Sequence, residues 1–214
     1  MRRDLLEVRR ALPPDVIAAA GAALARRTLE LDELRAAGGG GAARGAPEGE
    51  ESAIPVSELT VAAYVSIGAE PATGPLLEGL RAAGVRVLLP VLLPDNDLDW
   101  APYEGPDRLV KAGRGLWEPA AAPVGPEAVT AADVVLLPGL AVDRRGLRLG
   151  RGGGSYDRVL ARLEPAGVDP ALVVLLYDTE VLATVPAEPH DRLVHAALTP
   201  SGVHRFARPG RTDS

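Results

Sequence analysis

The chain contains no cysteine. Disulfides, thiolate metal sites and cysteine nucleophiles are excluded, and the composition agrees with a reducing compartment. Aromatic residues make up only 3 % of the 214 residues, so the 47 % hydrophobic fraction must pack as Leu, Val and Ala. Lysine occurs once, at Lys111. Cationic chemistry therefore falls to arginine, whose planar fork holds phosphate and carboxylate in a bidentate way. No apolar run approaches the roughly 20 residues of a membrane helix. The basic start Met1-Arg2-Arg3 is not followed by the apolar segment of a secretory signal. The formal net charge of −6 argues against a general binder of nucleic acid or anionic membrane. These absences lead us to expect a cytoplasmic protein with neither nucleic acid nor membrane as a partner, and we take the chain to be a monomer.

What is present reads as one domain over 1–214. Residues 2–34 have helical spacing (Leu5, Val8, Leu12, then Val16, Ile17, Leu24), interrupted by Pro13-Pro14, which predicts a short helix, a turn and a longer helix. Residues 36–53 are rich in Gly and acid and too polar to bury, so a mobile loop is expected there. Strand-like runs follow at Thr60–Ile67, Val85–Leu93, Leu98–Tyr103, Ala131–Leu137, Ala171–Tyr177 and Leu193–Leu198, with helical stretches at 72–83 and Ser155–Leu163. Alternating strands and helices predict an α/β fold with a mostly parallel sheet.

The informative stretch is Leu136–Arg158, LLPGLAVDRRGLRLGRGGGSYDR. A buried strand runs into a Gly-rich loop, and the loop into a helix. Ligands bind beyond the carboxyl ends of strands in such sheets, and free N–H groups at a helix N-terminus attract anions. Gly152-Gly153-Gly154 leave no Cβ in the way of a phosphate, so successive N–H groups can form an anion nest. Residues 144–158 carry five arginines (Arg144, Arg145, Arg148, Arg151, Arg158) and one acid, Asp157, a local charge of +4 inside an acidic chain. Asp157, at the helix start, suits Mg²⁺ or the helix dipole. Neither GxxxxGK[ST] nor a helix-opening G-x-G-x-x-G is present.

The same residues closely resemble the signature of the 5-formyltetrahydrofolate cyclo-ligases (5,10-methenyltetrahydrofolate synthetases), PG-h-h-[FV]-D-x-x-G-x-R-L-G-R-G-x-G-[YF]-Y-D with h hydrophobic. Pro138, Gly139, Asp143, Gly146, Arg148, Leu149, Gly150, Arg151, Gly152, Gly154, Tyr156 and Asp157 match. Arg9–Leu12, SIGAEPATGPLLEGL at Ser66–Leu80, VLLPV at Val87–Val91, WEP at Trp117–Pro119 and His190-Asp191 resemble the family more weakly. The resemblance implies a three-layer α/β/α sandwich. It also implies a reaction that depends on ATP and Mg²⁺: phosphorylation of the formyl oxygen of 5-formyltetrahydrofolate, attack by N10, and release of 5,10-methenyltetrahydrofolate, ADP and phosphate.

Carried over position by position, the resemblance makes Arg148, Arg151 and Tyr156 the catalytic residues. ATP would be held by Arg2 and by Arg148, Leu149, Gly150, Arg151, Gly152, Gly153, Gly154, Ser155 and Tyr156. The folate would be held by Val65, Glu70, Arg151, Gly152, Gly153, Gly154 and Ser155, and Mg²⁺ by Asp157 and Asp191. Three positions depart from the pattern. Arg2 takes the Arg place of an N-terminal Lys-x-x-x-Arg whose Lys place falls before Met1, Ser155 replaces an aromatic, and His195 replaces an acid. Two alternatives stay open: a non-catalytic binder of folate or nucleotide, and an enzyme of the sugar-phosphate isomerase or CoA-transferase architecture.

Overall fold

The computed structural model describes residues 1–32, 34, 59–187 and 191–207. The Gly- and acid-rich stretch expected as a loop at 36–53 lies outside them.

The first helix, α1 (Arg2–Arg10), carries Asp4 in its first turn and Arg9 and Arg10 in its last, each matched to the helix dipole. Pro13-Pro14 ends it as expected, because Pro14 cannot continue a helix but suits the first position of the next, α2 (Pro14–Leu29). Ala20, Gly21, Leu24 and Thr28 form the buried stripe of α2, at helical spacing.

A seven-stranded sheet runs through the molecule in the order β12-β11-β9-β6-β1-β2-β3. Its strands are β1 (Thr60–Ala62), β2 (Arg86–Leu92), β3 (Leu98–Pro102), β6 (Val134–Pro138), β9 (Ala171–Leu175), β11 (Ala196–Leu198) and β12 (Val203–Arg205). The pairs among β11, β9, β6, β1 and β2 are parallel, and only the two outer pairs are antiparallel. Both faces are covered, which is why β6 and β9 read as unbroken apolar runs. Val134, Leu136 and Val173 face a core with Leu24 of α2 and Leu76, Leu77 and Leu80 of α3 (Gly74–Ala82). Val135, Leu137 and Val174 face a second core with Val159, Leu160 and Leu163 of α4 (Ser155–Leu163). This is the three-layer α/β/α sandwich. No helix among the described residues is long and apolar enough to cross a membrane.

Three features differ from the sequence pattern. The β-branched run Thr60–Ile67 pairs as a strand only to Ala62. Beyond it side chains take the backbone amides: Ser66 N–H donates to Thr73 Oγ1, Thr73 N–H to Ser66 Oγ, and Ile67 N–H to Glu70 Oε2. Because β1 pairs only with Arg86–Leu88 of β2, Pro90 lies where β2 has lost that neighbour, and its missing N–H breaks no ladder. The second difference is that β6 does not run directly into the Gly-rich loop. Between them lie β7 (Ala141–Asp143) and β8 (Arg148–Leu149), which form a small sheet with β10 (Val181–Leu182). A hairpin, β4 (Leu109–Lys111) and β5 (Trp117–Pro119), also escaped the apolar pattern, being largely exposed.

The chain leaves β1 through α3 toward β2, and leaves β6 through α4 toward β9, on the other side. Strand order therefore reverses between β1 and β6, and a crevice opens beyond their carboxyl ends.

Candidate functional site

A cavity of about 370 Å³ fills that crevice. The segment after β1 contributes Tyr64, Val65, Ile67 and Glu70; the end of β6 contributes Pro138 and Gly139. Arg148 and the run Gly150–Asp157 form the facing wall. Of the residues singled out in the sequence, Val65, Glu70, Arg148, Gly150, Arg151, Gly152, Gly153, Gly154, Ser155, Tyr156 and Asp157 thus share one cavity.

The Gly-rich loop opens α4 as expected. Gly154 caps the helix in the left-handed region (φ 76°), and Gly152 also has positive φ (92°). No atom lies within 4 Å of where a Cβ would stand at Gly152, Gly153 or Gly154, so this stretch faces open space. Ser155 begins the helix and Asp157 sits in its first turn.

The two arginines of this wall are held differently. The Arg148 side chain is 6 % exposed. Its Nη1 donates to Pro138 O (3.1 Å) and its Nη2 to Asp157 Oδ1 (2.7 Å); Nε is buried without a partner among the described residues. Burial draws this guanidinium down from an arginine's ordinary value, while Asp157, Tyr156 and Asp191 oppose the change. Arg151 is 45 % exposed and reaches across the cavity to Glu70 Oε1 (3.1 Å). The Glu70 side chain is 5 % exposed, and its Oε2 accepts from Ile67 N–H at 2.9 Å. Burial raises its carboxyl above the ordinary range, against the pull of that N–H, Arg151 and Arg9. Tyr156 packs between the two cores; burial, with Glu70, pushes its phenol well above the usual value.

The remaining sequence candidates stand around the cavity. Arg2 donates from Nε to Gly150 O (3.1 Å), so α1 touches the loop from behind. Leu149 is buried in a third apolar cluster and gives its carbonyl to Leu140 N–H, which makes it a support of the loop and not a lining residue. Asp191 is close enough to act on Arg148, and its segment is fastened to the loop through Val194 N–H to Gly146 O (2.8 Å). His190 lies outside the described residues.

The charge excess at 144–158 is not all directed at the cavity. Arg145 pairs with buried Asp143, and Arg158 donates to Asp95 O on the outer side. Only Arg148 and Arg151 of the five arginines line the cavity. His195 is also explained locally. Its Nδ1 accepts from Leu172 N–H (3.0 Å), joining β11 to β9 away from the cavity.

A model of the 5-formyltetrahydrofolate cyclo-ligase family matches residues 53–200. The chain belongs to the 5-formyltetrahydrofolate cyclo-ligase family. A Mycolicibacterium smegmatis protein called 5-formyltetrahydrofolate cyclo-ligase is 44 % identical over 154 residues, 70 % of this chain and 77 % of that one. The Escherichia coli K12 protein of that name is 36 % identical over 146 residues, 67 % and 79 % of the two chains. The NMR structure of Aquifex aeolicus 5,10-methenyltetrahydrofolate synthetase has the same fold, with a TM-score of 0.74 at 24 % identity, covering 100 % of this chain and 94 % of that one. A 5,10-methenyltetrahydrofolate synthetase from Mycoplasma pneumoniae follows at a TM-score of 0.64 and 16 % identity, covering 93 % and 96 %.

The family signature marks one wall of the cavity and leaves the others unassigned. Tyr64, Leu92, Asn96, Arg114, Leu116, Trp117 and Glu118 line it too. Arg114 has positive φ (59°) and donates to Asn96 Oδ1 (2.6 Å); Glu118 accepts from Leu92 N–H (2.9 Å). The WEP segment was visible in the sequence, but nothing there tied Trp117 to the Gly-rich loop. The donor set suits Mg²⁺. Asp157, paired with Arg148, and Asp191, whose charge acts on the same arginine, are hard oxygen donors, and no group of three potential ligands occurs among the described residues. Mg²⁺ commonly takes one or two carboxylates and completes its shell with phosphate and water.

Proposed function

We propose that this chain is a 5-formyltetrahydrofolate cyclo-ligase that couples ring closure to ATP. ATP phosphorylates the formyl oxygen, N10 attacks the activated carbon, and phosphate leaves with its oxygen to give 5,10-methenyltetrahydrofolate. The observation that carries the reading is the facing pair of walls. Arg148, Arg151 and the open Gly150–Gly154 backbone stand on one side, and buried Glu70 on the other.

The formyl oxygen is a weak nucleophile and oxide a poor leaving group, so positioning and charge neutralisation must supply most of the rate. Arg148 is fixed by Pro138 O and Asp157 and serves as a pre-oriented clamp on phosphate. Arg151 is the mobile one. In the free protein Glu70 neutralises it, and a phosphate would draw it away. The N–H groups from Gly150 to Ser155 and the N-terminus of α4 cradle the transferred group. Glu70 then faces the folate's reacting nitrogens, where a carboxyl already raised by burial is suited to hold a proton. Val65 and Tyr156 provide apolar walls, and Arg2 braces Gly150. Asp157 and Asp191 would hold Mg²⁺, which supplies charge neutralisation at the phosphates. We also take the enzyme to be a monomer folded as one domain over 1–214, as the chain's length suggests.

The test is the absorbance of methenyltetrahydrofolate formed from 5-formyltetrahydrofolate, ATP and Mg²⁺. A rise that vanishes without ATP or with EDTA supports the proposal. No rise with active folate and nucleotide would return the chain to the reading of a non-catalytic binder.

A further inference from the structure

The wall of the cavity after β1 contains a hydroxyl that none of the described residues bonds. Tyr64 lies two residues beyond the end of β1, is 4 % exposed, and lines the cavity. Its Oη is buried and has no hydrogen-bond partner among the described residues. Most polar groups around it are paired. Glu70 is held by Ile67 N–H and Arg151, Glu180 by Arg9, and the Tyr177 hydroxyl by Ala69 O. A buried polar group left unbonded destabilises a fold, and a phenylalanine would fill the same space without that penalty.

From this we infer that the Tyr64 hydroxyl is a specificity-determining group of the proposed reaction, kept unsatisfied in the free protein so that it can hydrogen-bond the bicyclic pterin ring of the folate. The inference rests on the function proposed above and assigns a residue outside the Gly-rich signature. Position decides between the two substrates. Tyr64 stands with Val65, Ile67 and Glu70 on the wall that faces Arg148 and the Gly-rich run. The two carboxylates nearest it are already paired, Glu70 with Arg151 and Glu180 with Arg9. An apolar wall with one unpaired hydroxyl suits a neutral heterocycle, and a phenol can donate to its acceptors and accept from its donors. The phosphates belong to the opposite wall, at Arg148 and the start of α4. A site built to bond a polar ring edge also rejects analogues lacking that edge.

The competing explanation is internal. Arg9 Nη1 is likewise buried without a partner, and an ordered water could join it to Tyr64. Tyr64→Phe separates the two. If the hydroxyl reads the folate, the free variant melts at or above the wild-type temperature. The stabilisation by 5-formyltetrahydrofolate alone shrinks by about 3–5 °C, and that by MgATP alone is unchanged. KM for the folate then rises about 10-fold, carrying most of the loss in kcat/KM, and KM for ATP does not move. A lower melting temperature in the free variant would make the hydroxyl structural and overturn the inference. An unchanged folate KM, or equal rises for both substrates, would overturn it too. Those outcomes leave the proposed reaction standing, because it is read in the wild type. A wild type with neither turnover nor stabilisation by the folate would remove the reaction and this inference together.

Discussion

Replacing Arg148 and Arg151 separately by alanine should expose the difference in how the two arginines are held. Arg148→Ala removes a side chain that is 6 % exposed and leaves Pro138 O and Asp157 Oδ1 without their donor. Breaking a fully buried pair costs roughly 3–5 kcal/mol. Asp157 is 42 % exposed, so water recovers part of this and about 2–3 kcal/mol remains. For a chain of this size that lowers the melting temperature by about 5–10 °C. Arg151 is 45 % exposed, and its partner Glu70 can take up a proton when the guanidinium is gone. Arg151→Ala should therefore cost about 1 kcal/mol or less. Both variants should lose turnover by at least about 10²–10³-fold, since each removes a preorganised cation from the proposed phosphate site. Differential scanning fluorimetry and the methenyltetrahydrofolate absorbance assay give the two readouts on the same samples. Equal melting temperatures for the two variants would refute the argument from burial. Near-wild-type turnover in Arg151→Ala would refute the clamp.

Three further outcomes follow from the same contacts. Glu70 titrates above its ordinary value in the folded protein, chiefly because it is buried. Its contribution to stability is therefore fully present below the unfolded pKa and is lost as pH rises through the folded one. Glu70→Gln should match the wild type near pH 4 and become the more stable of the two toward pH 7 in melting curves; a constant difference would contradict this. The Arg9–Glu180 pair is 2 % and 4 % exposed and links α1 to the segment before β10, with Arg9 Nη2 also on Gly139 O (2.7 Å). By urea unfolding, Glu180→Leu alone should cost about 3–5 kcal/mol, and Arg9→Met with Glu180→Leu clearly less; equal losses would mean the charge itself is not what is stranded. Deleting residues 38–50 should leave kcat/KM within about twofold, and a large loss would make that stretch part of the active enzyme.

The sequence was most legible where local and global signals agree. Ser155–Leu163 forms a helix over the residues read for it, because Gly154 caps it and Val159, Leu160 and Leu163 give one buried face. Val134–Leu137 and Ala171–Leu175 are strands because both their faces are covered, and that coverage appears as unbroken apolar runs. Legibility failed where side chains compete with the backbone. Thr60–Ile67 has strand composition throughout, yet Thr73 and Glu70 claim its last two amides, at Ser66 and Ile67, and turn the chain into a cavity wall. It failed again at β4, β5, β7 and β8, which are two or three residues long and have too little periodicity to register.

The candidate site shows the same division. The loop wall is contiguous in sequence, so its glycines and arginines could be read together. Tyr64, Trp117 and Arg114 join it only because strand order reverses between β1 and β6, which brings distant segments to one crevice. Charge counting misled for a related reason. A sum over 144–158 treats every arginine as facing the ligand, but Asp143 turns Arg145 away and Asp95 O takes Arg158. What remains is one rigid and one exchangeable cation, Arg148 held by Asp157 and Arg151 held by Glu70. Each is paired in the free protein with a carboxylate that has its own part in the proposed reaction: Asp157 toward Mg²⁺ and Glu70 toward the folate. An incoming phosphate would then compete with Glu70 for Arg151, releasing Glu70 for the folate, while Arg148 stays held by Asp157. On this arrangement nucleotide should strengthen folate binding, and by linkage the folate should strengthen nucleotide binding by the same factor. Titration calorimetry of 5-formyltetrahydrofolate with and without a non-hydrolysable ATP analogue and Mg²⁺ measures that factor. Equal affinities would mean that the Arg151–Glu70 pair does not couple the sites.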